Sequence, residues 1–374
     1  MRKVYLYNEA VVQYNYGMAH PFRLERLWLT DYLCTRLSLF GDEYPKESFE
    51  PASRDDLLRA HRSDYLDILE QVSAGMMPPG MAPYGLTTGD NPIFPNMWEY
   101  ALLTAGGSLR AADLLIGRDA ERVFHPGGGL HHALPGRASG FCYVNDVVLA
   151  IHRFLDAGLR VFYVDIDAHH GDGVQEAFIA SNQVMTVSVH QDGRTLFPGS
   201  GFAGEIGRGA GEGYAVNVGL LPHTSGAVYP SVFSEVIEPL LGAFRPDVLV
   251  TELGADPLIG DPLANLEMTL EDWWWILDRL RSWGLPWLAV GGGGYELANA
   301  MRAWTMVWMA MIEAPRPEVM PPRPDELPGV AGQMRWPRDF WTPPRGIVAL
   351  GGGDEAIMQI IAGVKNEIFS RHGL

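Results

Sequence analysis

Residues 160–170 read RVFYVDIDAHH. Val161 to Val164 form an unbroken apolar run, and the residues that follow are Asp165, Asp167, His169 and His170. A continuous run of this kind suits a strand buried on both faces, which is the habit of parallel sheets. Five other runs share the design: KVYLYN (3–8), RVFHPGGG (122–129), QVMTVSVHQDG (183–193), DVLVTELGAD (247–256) and PWLAVGGGG (286–294). Helix-like stretches separate them at 143–158, 225–243 and 271–283. In the first of these, Val147, Val148, Ile151 and the Phe154/Leu155 pair share one stripe, and Gly158 stops it. This alternation predicts an α/β fold, a parallel sheet with helices, as one domain over 1–374. The Pro-dense segment 314–345 is expected to wrap the surface in extended form, and 354–370 to be a helix.

Composition narrows the function classes. The 28 Lys and Arg against 45 Asp and Glu give a net charge of −17 over 374 residues. Phosphates would be repelled, which argues against sequence-independent nucleic-acid binding and against anionic membranes. Cationic partners such as Lys-rich tails remain compatible. No apolar run approaches the roughly 18 to 20 residues that a membrane span needs. The opening MRKVYLYNEA has no signal-type apolar core. Cys34 and Cys142 are too few for a disulfide framework. A cytoplasmic protein is the expectation.

In open parallel sheets, ligands sit outside the carboxyl ends of the strands. The chemistry-bearing residues cluster there: His131 and His132 after one run, Asp165, Asp167, His169 and Asp172 after the second, Asp256 after the third and Tyr295 after the fourth. Any one alone reads as a cap or turn residue. The set at four strand ends does not. Asp167, His169 and Asp256 supply two carboxylates and an imidazole, a donor set suited to Zn²⁺ or Fe²⁺ with positions left open for catalysis. Asp-x-His on extended backbone points both side chains to one face. His131 and His132 can act as base and acid if carboxylates orient them, and Asp165 and Asp172 are spare for that role. Tyr295, after Gly291 to Gly294, can donate to a developing oxyanion. Neither glycine run fits a nucleotide-binding pattern, so both read as places of close backbone approach.

Four stretches closely resemble the histone deacetylase superfamily, and within it the class I-type and prokaryotic acetoin-utilisation deacetylases. They are FHPGGGLHHALPGRASGFCYVNDVVLAI (124–151), YVDIDAHHGDGVQEAF (163–178), ELGADPLIGDPLANLEMT (252–269) and VGGGGYELANAMRAWT (290–305). HPFRLERL (20–27) and HRSDYLDIL (61–69) are similar to its N-terminal segments. The resemblance implies the arginase–deacetylase fold, a mostly parallel eight-stranded sheet between helices. It implies a metal, Zn²⁺ or else Fe²⁺, on Asp167, His169 and Asp256. His131 would pair with Asp165, His132 with Asp172, and Tyr295 would polarise the amide carbonyl. The second His of the pair would be the base and acid, and the first would tune charge. Phe141 and Phe197 match two aromatics lining a narrow tunnel. Gly140 matches a carbonyl that accepts the substrate amide, and Asp90 a rim residue holding the substrate backbone. Two K⁺ sites are also implied, one at Asp165, Asp167, His169, Ser188 and Val189, the other at Phe178, Ser181, Val184 and Tyr214.

Two departures from relatives sharpen the expectation. Arginase-type members hold a second metal with extra Asp residues, where this chain has Gly171 and Leu258. One metal is therefore expected. Polyamine-specific deacetylases carry an acidic or restrictive rim, where this chain has Leu263. The expected activity is hydrolysis of acetyl or short acyl groups from acylated lysine by metal-activated water. An acetylpolyamine deacetylase and a catalytically silent acyl-lysine binder are the alternatives.

Overall fold

The computed structural model describes residues 2–343, 347 and 349–374, apart from the side chain of Val330. Eight strands form one sheet: β1 (Lys3–Leu6), β2 (Lys46–Glu47), β3 (Arg122–His125), β4 (Val161–Asp165), β5 (Val184–Gln191), β6 (Ala215–Leu220), β7 (Val248–Glu252) and β8 (Trp287–Val290). Their order is β2-β1-β3-β8-β7-β4-β5-β6, and every ladder is parallel. The six apolar runs are all strands. β2 and β6, the two margins of the sheet, are not among those runs. β2 has two residues, and β6 is interrupted by Asn217 and Gly219, so neither reads as a buried run.

Helices cover the sheet. Met97–Ile116 and Asp146–Asp156 pack on each other and on β3 and β4, respectively. Leu297–Ile312 packs on β1 and β3 beneath Glu25–Arg36, and every residue from Ala298 to Ile312 is buried. The helix expected from 143 begins at Asp146, because Asn145 caps it by accepting from the Val148 N–H. The stretch 225–243 is not one helix. It passes through a π turn, Phe233–Ile237, just before Pro239, which has no N–H to continue the ladder. The Pro-dense stretch is extended, with one 3₁₀ turn at Gly329–Gln333 and a bridge from Val319 to Asp339. Residues 344 and 345 of that expected stretch lie outside the described residues. The last helix is Ile357–Ile368, after a 3₁₀ turn at Asp354–Ala356, and it packs on β6.

The register of the central strands aligns their carboxyl ends. His125 pairs with Val290, Val290 with Glu252, Glu252 with Asp165, and Asp165 with Ser188. The loops that leave this row carry the residues of interest. Two buried histidines brace them. His125 lies 3.1 Å from the Ser108 hydroxyl, and Ser108 also donates to Asp146. His61 accepts from the Asn145 N–H at 2.9 Å and faces the Leu134 carbonyl at 3.2 Å.

Burial pushes His61 down from 6.5 to about 4, so it is neutral in the fold. As pH falls below 6.5 the unfolded chain binds a proton that folded His61 refuses until about 4. Stability must therefore drop through that window, by up to about 1.4 kcal/mol per pH unit from this group. Urea midpoints measured between pH 7.5 and 5 should show the decline, and His61→Gln should flatten it by that amount. An unchanged slope in the variant would contradict the assignment.

Candidate active site

Asp167 and His169 leave β4 two residues apart, and Asp256 arrives from the loop after β7. The His169 Nδ1 lies 3.0 Å from Asp167 Oδ1 and 3.0 Å from Asp256 Oδ2. All three are buried, and their donor atoms fall within 4.8 Å of one another. Backbone N–H groups fix the carboxylates. Asp167 accepts from Gly293 at 2.7 Å and from His169 at 2.8 Å, and Asp256 Oδ1 accepts from Ala168 at 2.8 Å. This closeness depends on missing side chains. A Cβ at Gly254 would stand 1.9 Å from Asp167 Oδ2, and one at Gly293 would stand 2.1 Å from Asp256 Oδ2.

The set fits a divalent cation. Asp256 Oδ2 is buried with only the His169 imidazole, 3.0 Å away and poorly aligned, beside it, which leaves it available as a ligand. Burial opposes charge on His169, yet Asp256 and Asp167 outweigh it and push its pKa up to about 10. The pocket thus stabilises positive charge. A second group, His131, Asp167 and Glu252, also comes within that range. Its histidine is otherwise engaged, with Nδ1 at Asp165 and Nε2 at His132.

The two histidines form a relay. His131 Nδ1 lies 2.9 Å from Asp165 Oδ2, which also accepts from the Tyr163 hydroxyl at 2.7 Å. His132 Nδ1 lies 2.7 Å from Asp172 Oδ1, and the two Nε2 atoms are 3.0 Å apart. Their environments push them apart. Burial works against charge on His131, but Asp165, Glu252 and Asp167 raise it well above the usual range. Burial, and then the neighbouring His131, lower His132 to about 4. Positive charge is thus favoured on His131 and disfavoured on His132.

Aromatic rings flank the approach. The Phe197 ring lies 5.0 Å from His132 and 6.5 Å from His169, while Phe141 lies 5.6 Å from Tyr295. Tyr295 itself is 6.4 Å from His169, ring to ring. Burial, then Asp256 and Asp167, hold its phenol well above the ordinary range, so it keeps its proton. Gly140, at φ +50°, lets the chain pass over His132, since a Cβ there would meet Cδ2 at 2.4 Å. Asp90 is exposed on the rim, its carbonyl 3.1 Å from His20 Nε2, and the His20 ring packs on Phe141. Leu263 is half-buried nearby, its N–H donating to Asp261 at 2.9 Å.

The residues named for K⁺ fall in two neighbourhoods. Asp165 and Ser188 are register partners where β4 ends against the middle of β5, near Asp167, His169 and Val189 in the chain. Val184 begins β5, Phe178 accepts from the Ser181 N–H at 2.8 Å, and the Tyr214 carbonyl accepts from Thr186 at 2.9 Å.

Four supporting residues went unread in the sequence. Asp261 accepts from the Tyr295 N–H at 2.7 Å, tying the loop after β7 to the one after β8. Asn145 donates to the carbonyls of His131 and Ala133, 3.1 Å each. Arg26 reaches the Gly294 carbonyl at 2.8 Å. Glu252 is buried with both oxygens unbonded, and burial drives its carboxyl well above the usual range. Asn145, before an amphipathic run, carried a capping signal. Asp261 and Arg26 act through distant backbone and Glu252 makes no hydrogen bond, so these three carried none.

With this geometry in hand, the likeness to known proteins is specific. Residues 20–311 match the histone deacetylase domain. Histone deacetylase B of Dictyostelium discoideum is 39% identical over 305 residues, covering 81% of this chain and 72% of that protein. Histone deacetylase HDAC1 of Drosophila melanogaster is 38% identical over 312 residues, 81% of this chain but 58% of that one. The acetoin utilization protein AcuC of Staphylococcus aureus (strain MRSA252) is 36% identical over 326 residues, covering 84% and 82%. A crystal structure of a histone deacetylase homolog complexed with SAHA superposes with a TM-score of 0.86 at 26% identity, covering 97% of this chain and 99% of that one. The all-parallel eight-stranded sheet is the arginase–deacetylase fold, and the chain belongs to the histone deacetylase family.

Proposed function

We propose that this protein is a metal-dependent lysine deacylase that removes acetyl or short acyl groups. The observation that carries this reading is the pair of carboxylate-held histidines, their Nε2 atoms 3.0 Å apart, beside the buried Asp167, His169 and Asp256 cluster. A silent binder of acyl-lysine would need neither.

Asp167, His169 and Asp256 would hold the ion, which supplies Lewis acidity that polarises the acyl carbonyl and acidifies a water. Zn²⁺ and Fe²⁺ both suit two carboxylates and an imidazole. His132, neutral and oriented by Asp172, accepts the proton of the attacking water and returns it to the departing amine. His131, held by Asp165, keeps positive charge beside the reacting carbonyl. Tyr295 donates its phenolic proton to the developing oxyanion. Phe141 and Phe197 sheathe the methylenes of the lysine, whose neutral amide carries no charge to desolvate. The Gly140 carbonyl accepts the amide N–H, and Asp90 holds the peptide backbone at the rim. K⁺ at the two carbonyl neighbourhoods would brace β4 and β5.

The substrate is an acylated lysine in a protein or peptide. Leu263 at the rim favours this over an acetylpolyamine, for which an acidic group there would be the natural partner. Nucleic acid is not a partner, given the charge of −17. No helix among the described residues is long and apolar enough to cross a membrane, in keeping with a cytoplasmic site of action.

Hydrolysis of an acetyl-lysine peptide beside acetylspermidine, with protein reloaded with Zn²⁺, tests the reading. The peptide should be turned over preferentially, and faster turnover of the polyamine would overturn the role given to Leu263. Tyr295→Phe should lower kcat roughly a hundredfold, the scale of one lost oxyanion donor. Near-normal turnover in that variant would remove Tyr295 from the chemistry. Chelation should abolish activity and added Zn²⁺ or Fe²⁺ restore it, whereas activity surviving full demetallation would exclude the metal-dependent route.

A further inference from the structure

A cleft of about 660 Å³ on the described surface does not run down to His132. It opens beside Tyr295, between the loop at Gly260 and Pro262, the start of helix Leu297–Ile312, and the extended stretch Gln333–Pro343. That stretch lies beyond residues 20–311, the part that matches the family domain. One wall beside the candidate active site is therefore built by chain that follows the matched domain.

The charges of the cleft are unevenly committed. Arg302 is buried and spends its guanidinium on the carbonyls of Ala298, Phe340 and Thr342 and on Asn299 Oδ1, which clips the stretch to the helix. Glu296 accepts from the Asn299 N–H, and Asp339 accepts from the N–H groups of Trp341 and Thr342. Two groups remain. Arg335 and Arg338 line the same cleft, both are exposed, and among the described residues neither guanidinium has a bonding partner.

We infer that this cleft binds an acidic segment flanking the acyl-lysine, with Arg335 and Arg338 engaging Asp or Glu side chains of the substrate. The inference rests on the deacylase reading for its substrate. Charge complementarity supplies the occupant: guanidinium forks match carboxylates, and the rest of this acidic surface repels them. Tyr295 supplies the continuity, because it belongs both to the cleft and to the site where the acylated side chain would react. A peptide with its acyl-lysine toward Tyr295 would lay neighbouring residues along Gln333–Pro343.

Binding and turnover should be read separately. Fluorescence anisotropy with labelled acetyl-lysine peptides, flanked by aspartates or by asparagines, gives the first. Exposed charge pairs are individually weak, so two should favour the acidic peptide by about three- to tenfold in Kd at low salt. The preference should shrink with added salt and fall toward one in Arg335→Gln/Arg338→Gln, while Arg335→Glu/Arg338→Glu should invert it. Equal affinities in the natural protein, or a preference that survives the double substitution, would overturn the inference. If the preference is present but neither peptide is hydrolysed, the deacylase reading fails and the cleft assignment stands.

Discussion

Six carboxyl groups, Asp146, Asp165, Asp167, Glu252, Asp256 and Asp261, are buried around the carboxyl ends of the central strands. Taking a carboxylate out of water costs several kcal/mol unless its lone pairs are met. Much of the architecture answers that cost with backbone. Asp146 accepts from the N–H groups of Gly129 and Leu130, Asp167 from those of Gly293 and His169, Asp256 from that of Ala168, and Asp261 from that of Tyr295. Asp165 is met by Tyr163 and His131. Glu252 receives no hydrogen bond, and burial favours its neutral acid. Parallel strands ending in one row make this possible, since their outgoing loops present N–H groups to a common centre.

The same constraint explains the glycines. At Gly254 and Gly293 a carboxylate oxygen occupies the volume that a side chain would need. These residues are not hinges or phosphate cradles. They are the space into which the carboxylates fit, and the short runs of glycine in the sequence record that fit.

This bears on what the sequence disclosed. Six of eight strands were legible because burial on both faces leaves an unbroken apolar run, and β6 was not. Its Asn217 is buried, with its amide N–H₂ donating to Gln175 and to the Glu205 carbonyl, partners that no local pattern reveals. The candidate ligands and histidines were legible because reactive side chains gathered at strand ends. Asp261 was not, because it works through the N–H of Tyr295, thirty-four residues away. The cleft at Arg335 and Arg338 was illegible for a similar reason. A Pro-dense stretch announces extended chain, but which wall it builds is decided by Arg302, buried in a different element.

The histidine pair shows how burial becomes chemistry under the proposed function. Two adjacent imidazoles in one buried pocket cannot both be charged, because each opposes the other at 3.0 Å. The carboxylates decide which one yields. His131 faces Asp165, Glu252 and Asp167, all buried, whereas His132 has the partly exposed Asp172. The cation therefore settles on His131, deeper in the negative cluster, and the acceptor role falls to His132, which also lies against Phe197 on the approach. A base must be unprotonated and reachable, and only one of the two meets both conditions. The order of roles in the pair follows from depth within a field of buried carboxylates, with no difference in the intrinsic chemistry of the two side chains.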